Sequence, residues 1–147
     1  MKVLVTGKLP QAAIALVEEQ HEVVMNTREE PMPRQQIMSQ IGDKEGLLCM
    51  ISDKIDEELL AHAPNLRMIA NYGVGFDNID LAAATKRGIR VSNTPGVLSD
   101  ATADLSFALL LAVARRVIEG DRMTRSGKFK PWSPMVFLGT EVTGKTL

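Results

Sequence analysis

The chain has 147 residues with 17 basic and 18 acidic side chains, which allows one sizeable hydrophobic core and provides no general electrostatic attraction for nucleic acid or anionic membranes. Its single cysteine, Cys49, excludes an intrachain disulfide and fits a reducing compartment. The amino terminus lacks a signal-peptide pattern, and the longest apolar run, residues 105–114, is too short to span a bilayer. We therefore expect a cytoplasmic protein whose partners are small molecules or other proteins.

Strand-like runs alternate with helical patterns along the first two thirds of the chain, which predicts parallel strands joined by crossover helices. Pro10 suits the start of the first helix and Gly88 the end of the fourth. The predicted strands cover residues 2–6, 21–26, 46–51, 66–71 and 89–93, and the predicted helices 10–20, 34–40, 56–63 and 79–88. This pattern predicts a flavodoxin-like α/β fold.

The composition changes after residue 96, where the turn-rich stretch TPGVLSD leads into a predicted long helix over residues 100–118. Acidic residues near its start and two arginines, Arg115 and Arg116, near its end complement the helix dipole. Apolar residues cover almost its whole circumference, as is typical of a helix packed on several sides. From residue 120 to the last residue the sequence predicts an irregular segment, in which Trp132 lies between two prolines.

The stretch NYGVGFDNID, residues 71–80, places Gly73 and Gly75 directly after a predicted strand. A dinucleotide-binding turn requires three glycines in the pattern G-x-G-x-x-G after the first strand, whereas here Asn78 occupies the third position and the strand is the fourth. A pyrophosphate-binding turn is therefore excluded. Two interpretations stay open: the loop's backbone amides bind an anion such as a carboxylate, or the glycines supply tight-turn dihedral angles alone.

The same residues carry a family resemblance. NYGVGFDNID and the run KRGIRVSNTPGVLSDATADLSFALLLAVARR resemble the amino-terminal part of D-isomer-specific 2-hydroxyacid dehydrogenases, and PWSPMVFLGTEVTGKTL is similar to their glyoxylate and hydroxypyruvate reductase branch. The resemblance implies reduction of small 2-oxo acids with NADH or NADPH in a cleft between two domains. It further implies that residues 1–96 form the substrate-binding domain and residues 97–147 a linker helix with the start of a truncated dinucleotide-binding domain.

The resemblance also assigns roles to individual residues. It implies that the amides of Val74 and Gly75 bind the substrate carboxylate and that Thr102 lines the nicotinamide end of the coenzyme pocket. Trp132 would reach across a homodimer, formed through residues 100–140, into the neighbouring active site. Local alternatives are that Thr102 serves to initiate its helix and that Trp132 packs within its own loop.

Catalytic residues cannot be assigned in this chain, because the family's catalytic arginine, acidic residue and histidine belong to its carboxyl-terminal part. The chain contains no G-x-G-x-x-G motif, and its two histidines, His21 and His62, are predicted to be turn or surface residues and form no metal site with Cys49. We expect an amino-terminal fragment that is inactive alone and binds no NAD or NADP. The alternative class is a non-catalytic module that binds a carboxylate or dimerises.

A phosphoacceptor receiver domain would also have five such strands and an aspartate after the third. A receiver domain requires an acidic cluster after the first strand, where this chain has Thr6, Gly7 and Lys8. We therefore favour the dehydrogenase interpretation over a receiver domain. For the loop SDKID, which follows the third predicted strand, the resemblance implies a position facing the substrate cleft. We favour a helix-capping role for Ser52 or Asp53.

Overall fold

The first of two compact units contains a five-stranded parallel sheet. The computed structural model describes all 147 residues and divides them into Met1–Gly96 and Val97–Leu147. The strands are β1 (Lys2–Val5), β2 (Glu22–Met25), β3 (Gly46–Met50), β4 (Met68–Tyr72) and β5 (Arg90–Ser92), in the order β2-β1-β3-β4-β5. The helices are α1 (Gln11–Glu18), α2 (Arg34–Gln40), α3 (Glu57–Ala61) and α4 (Leu81–Lys86). The prediction of an α/β fold with a parallel sheet is confirmed, and the strand order is that of flavodoxin-type sheets.

The core of this unit lies on both faces of the sheet. Because side chains alternate along a strand, the side chain of Leu4 in β1 lies on one face of the sheet and those of Val3 and Val5 lie on the other. Leu4 belongs to the larger buried cluster, which includes residues of α2, α3 and α4, whereas Val3 and Val5 pack with Ile14 of α1. The sheet is thus fixed from both sides, and its carboxyl edge presents loops on a rigid support.

Two aspartates define where the later helices begin. Asp56 accepts a hydrogen bond from the Leu59 amide at 3.1 Å and caps α3, and Asp80 caps α4 through the Ala83 amide at 2.9 Å. Arg34 of α2 donates to Asp56 Oδ1 at 2.6 Å, which ties α2 to α3. The Arg34 hydrogen bond is the main reason that the pKa of Asp56 lies well below its ordinary value.

The second unit contains two helices, α5 (Ser99–Ala114) and α6 (Val117–Arg125). The predicted single helix over residues 100–118 is therefore wrong, as is the prediction that the segment from residue 120 is irregular throughout. Arg116 adopts a left-handed conformation with φ 57°, which ends one helix and starts the next. Its guanidinium donates to Glu119 and to the Leu138 carbonyl oxygen, and lies 4.5 Å from the centroid of the Phe137 ring.

No residue of α5 is buried in this chain, although the sequence predicted a helix packed on several sides. Leu105, Phe107 and Leu109 are each more than half exposed. None of the six helices combines the length and hydropathy that crossing a bilayer would require.

We predict that Asp56→Ala lowers the free energy of unfolding by about 1 to 2 kcal/mol at pH 7, because α3 loses its cap and Arg34 loses a partner. The pKa of Asp56 is lower in the folded chain than the roughly 3.9 of an unfolded aspartate. The contribution of the Asp56 carboxylate to the free energy of unfolding is therefore complete above about pH 5 and is lost as the pH falls below about 4. Urea unfolding followed by circular dichroism at several pH values measures both effects.

Asp77→Ala is the matched control, since Asp77 is exposed and accepts no hydrogen bond, and its change should stay within about 0.5 kcal/mol. Equal stability of the Asp56 variant and the unmodified chain at pH 7 would contradict the capping assignment.

Candidate functional site

The loop that follows β4 has all of its first four carbonyl groups engaged. The carbonyl oxygens of Gly73 and Phe76 accept hydrogen bonds from the amides of Thr94 and Ile79, each at 3.0 Å. The carbonyls of the two intervening residues each accept a hydrogen bond from a side-chain amide. Asn93 Nδ2 donates to Val74 O at 2.8 Å, and Asn71 Nδ2 donates to Gly75 O at 2.6 Å. The backbone of this loop is therefore fixed by its acceptors.

The amides of Val74 and Gly75, by contrast, donate no hydrogen bond within the chain. Both residues are exposed, at the carboxyl edge of the parallel sheet. In a planar trans peptide the N–H and the C=O point in opposite directions. Because hydrogen bonds from the protein hold the carbonyls of Gly73 and Val74, the N–H groups of the same two peptides point away from those donors. Two adjacent unpaired amides at this edge can bind an anion.

A buried asparagine, Asn71, and a partly buried one, Asn78, support the loop from below. Asn71, which is 2% exposed, accepts hydrogen bonds through Oδ1 from Asn78 Nδ2 at 3.2 Å and from Cys49 Sγ at 3.4 Å. Asn78 Nδ2 also lies 3.1 Å from the Asp53 carbonyl oxygen and 3.3 Å from that of Met50. Asn78, which stands where a dinucleotide-binding turn would have its third glycine, thus joins the loop to the end of β3.

Asp53 is buried beneath the same edge, and the prediction that Ser52 or Asp53 caps a helix is wrong, because Asp56 has that role. The Asp53 carboxylate accepts hydrogen bonds from the Met50 amide at 2.8 Å and from the Thr6 hydroxyl. Burial, and secondarily the charge of Asp53, raise the pKa of the Cys49 thiol to about 12. Cys49 is consequently a protonated structural residue at neutral pH.

Gly73 and Gly75 serve the loop in different ways, and neither adopts the left-handed φ that favours glycine. The interpretation that they supply tight-turn dihedral angles is therefore wrong. A Cβ at Gly73 would lie 2.1 Å from Ile51 Cγ2, so any side chain at this position would force the Ile51 side chain to move. A Cβ at Gly75 would meet Asp77 Oδ1 alone, at 3.4 Å.

Thr102 and Trp132 belong to the second unit. Thr102 is exposed in the first turn of α5, where its amide donates to the Leu98 carbonyl oxygen at 3.0 Å. Trp132 is 81% exposed, so its own segment does not bury the indole ring. His62 Nδ1, just after the end of α3, lies 2.9 Å from the Glu58 carbonyl oxygen. It makes no hydrogen bond to residues 73–78, which we call the glycine loop.

Sequence reasoning missed Asn71 and Asn93, the side chains that hold the loop carbonyls. Each lies at the carboxyl end of a strand, β4 or just after β5, and carboxyl ends of parallel strands meet at one edge. An asparagine in both places was the signal that could have identified them.

The unit Met1–Gly96 is thus a flavodoxin-type α/β domain with unpaired amides exposed at the carboxyl edge of its sheet. The chain belongs to the family described as D-isomer specific 2-hydroxyacid dehydrogenase, catalytic domain, which matches residues 3–141. The family resemblance seen in the sequence is thereby confirmed.

Known relatives agree with this assignment. Glyoxylate reductases of Pyrococcus horikoshii and Korarchaeum cryptofilum are 49% and 47% identical to this chain, each over 99% of its length. A solved protein of Thermus thermophilus is 47% identical over 95% of the chain, with a TM-score of 0.88. An NADPH-dependent glyoxylate/hydroxypyruvate reductase of Sinorhizobium meliloti, solved with NADP and malonate, is 29% identical over 99%, with a TM-score of 0.76. The chain spans 44% to 45% of the length of these four proteins.

We predict that Gly73→Ala destabilises the chain by about 1 to 3 kcal/mol, because its Cβ overlaps Ile51 Cγ2. Adding Ile51→Ala removes that methyl group and should recover most of the loss, since Ile51 is 62% exposed and contributes little alone. Urea unfolding of the two single variants and the double variant measures this coupling.

Gly75→Ala is the matched control and should change the stability by no more than about 0.5 kcal/mol. Additive effects of Gly73→Ala and Ile51→Ala would show that the close approach does not limit position 73.

Proposed function

We propose that this chain supplies the substrate-binding part of a reductase that converts small 2-oxo acids, glyoxylate or hydroxypyruvate, to 2-hydroxy acids with NADH or NADPH. The observation that carries the proposal is the pair of unpaired amides at Val74 and Gly75. Membership of the 2-hydroxyacid dehydrogenase family and the similarity to glyoxylate reductases support it.

The substrate carboxylate would accept hydrogen bonds from these two N–H groups. Such bonds are charge-assisted and stronger than neutral ones. The absence of a side chain at Gly75 lets the anion approach the backbone closely. Residues 73–78 contain no basic side chain, and Asp77 is acidic. The loop alone therefore orients the carboxylate but binds it weakly.

Reduction also requires a cation that polarises the oxo group and an acid that protonates the developing alkoxide. The loop supplies neither group, so we infer that this chain alone is inactive. Its contribution is to hold the carboxylate and thereby fix the position of the oxo carbon.

The residues of this chain do not form the glycine-rich turn that binds a dinucleotide, since Asn78 stands in place of the third glycine and bonds to the end of β3. We infer that the chain alone binds neither NAD nor NADP. In this proposal residues 1–96 are the substrate-binding domain, and residues 97–147 are a linker helix and the start of a dinucleotide-binding domain. Thr102 lines the nicotinamide end of the coenzyme pocket there.

We further propose a homodimer formed through residues 100–140, in which Trp132 reaches the substrate site of the second subunit. Support comes from the exposed apolar side chains of this region. Those more than half exposed include Leu105, Phe107, Leu109, Ile118, Phe129, Trp132 and Met135. A water-exposed apolar surface of this kind favours association.

The dimer proposal predicts that sedimentation equilibrium at micromolar concentration gives twice the chain mass, and that Leu109→Glu dissociates it by placing charge in the interface. Leu16→Glu is the matched control, because Leu16 is a 68% exposed leucine of α1 in the first unit. A monomer for the unmodified chain would contradict the proposal.

The function is tested by joining this chain to the remainder of the Pyrococcus horikoshii glyoxylate reductase and following the reduced-nicotinamide absorbance. We expect turnover of glyoxylate or hydroxypyruvate by the chimera and none by the chain alone. Acetaldehyde, which lacks the carboxylate, should not be turned over.

The Pyrococcus enzyme itself is the positive control. A folded chimera that is inactive with both acids and both coenzymes would contradict the proposed function and favour a non-catalytic carboxylate-binding or dimerisation module.

A further inference from the structure

The unpaired amides of Val74 and Gly75 belong to peptides whose carbonyl groups are held by different kinds of donor. The Val74 N–H belongs to the peptide whose carbonyl, that of Gly73, accepts from the main-chain amide of Thr94 at 3.0 Å. The Gly75 N–H belongs to the peptide whose carbonyl, that of Val74, accepts from the Asn93 side chain at 2.8 Å. The direction of the Gly75 N–H therefore depends on one side chain.

The sequence of the loop does not fix this second peptide by itself. Rotating the peptide between Val74 and Gly75 by half a turn changes ψ of Val74 and φ of Gly75, and glycine tolerates the positive φ that results. The same rotation of the preceding peptide would force a positive φ on Val74, which a β-branched residue resists. A flipped peptide after Val74 would present a carbonyl oxygen, instead of an N–H, to the anion.

We propose that Asn93 is a positioning residue for the substrate carboxylate: its side-chain amide anchors the Val74 carbonyl and so keeps the Gly75 N–H directed at the anion. This inference rests on the proposed function of the loop. Asn93 follows β5 directly and is partly buried, so the sheet edge supports it. Asn71 anchors the next carbonyl, that of Gly75, at 2.6 Å and limits the motion from the other side.

The test is a titration of the isotope-labelled chain with malonate, followed by amide NMR signals. In the unmodified chain we expect saturable shifts of the Val74 and Gly75 signals, and none with dimethyl malonate, which has no free carboxylate. In Asn93→Ala the dissociation constant should rise about tenfold or more, as for loss of a hydrogen bond to a charged group. The Gly75 signal should lose its response while the Val74 signal keeps its own.

Two variants separate positioning from general stability. Asn93→Gln retains the amide donor and should keep the dissociation constant within about threefold of the unmodified value. Asn65→Ala removes a comparable side-chain bond, from Asn65 Nδ2 to the Gly42 carbonyl oxygen at 3.0 Å, and should leave malonate binding unchanged. If alanine at position 93 unfolds the sheet, Asn93→Leu, which keeps a similar size, loses the donor and adds no charge, carries the same prediction.

The outcomes distinguish the two proposals. Unchanged malonate affinity and an unchanged Gly75 response in Asn93→Ala would overturn the role of Asn93 and leave the carboxylate site intact. Absence of any saturable shift at Val74 and Gly75 in the unmodified chain would overturn the carboxylate site, and the role of Asn93 with it.

Discussion

The hydrogen bonds of Asn71 are the interaction on which the glycine loop depends. Its side chain is buried at the end of β4, donates to the Gly75 carbonyl and accepts from Asn78, which in turn bonds to carbonyls at the end of β3. A buried polar network of this kind is stable when each member has partners, and it then specifies one geometry. Two strand ends and the loop are thereby joined into one rigid edge, whose free donors include the adjacent amides of Val74 and Gly75.

Rigidity at this edge has a functional consequence. Amides that already point toward the position an anion will take need no reorganisation when it arrives, which is the advantage of preorganised donors. In the proposed carboxylate site the loop carries no cation, so its contribution would be orientation more than affinity. A loop that orients the carboxylate without a charge of its own suits a site in which other parts of an enzyme supply the cation, the proton donor and the coenzyme.

The alternation of apolar runs was sufficient to predict the strands, and the two glycines after β4 were sufficient to locate the loop. The break at Arg116 could not be predicted, because no glycine or proline marks it and its guanidinium contacts Leu138 and Phe137, far along the chain. An asparagine after β5 was a signal for this sheet edge, but its hydrogen bond to the carbonyl of a residue 19 positions away could not be predicted from the local sequence. Asp53 and Asp56 both precede a helix, and only the buried bonds to Thr6 and Met50 show that Asp53 belongs to the sheet edge.

The most direct measurement is a crystal structure of this chain with malonate. We expect a carboxylate oxygen about 2.7 to 3.1 Å from the amide nitrogens of Val74 and Gly75, with the loop carbonyls still bonded to Asn93 and Asn71. A carboxylate bound elsewhere, or either amide donating to a protein acceptor in the presence of malonate, would contradict the carboxylate site.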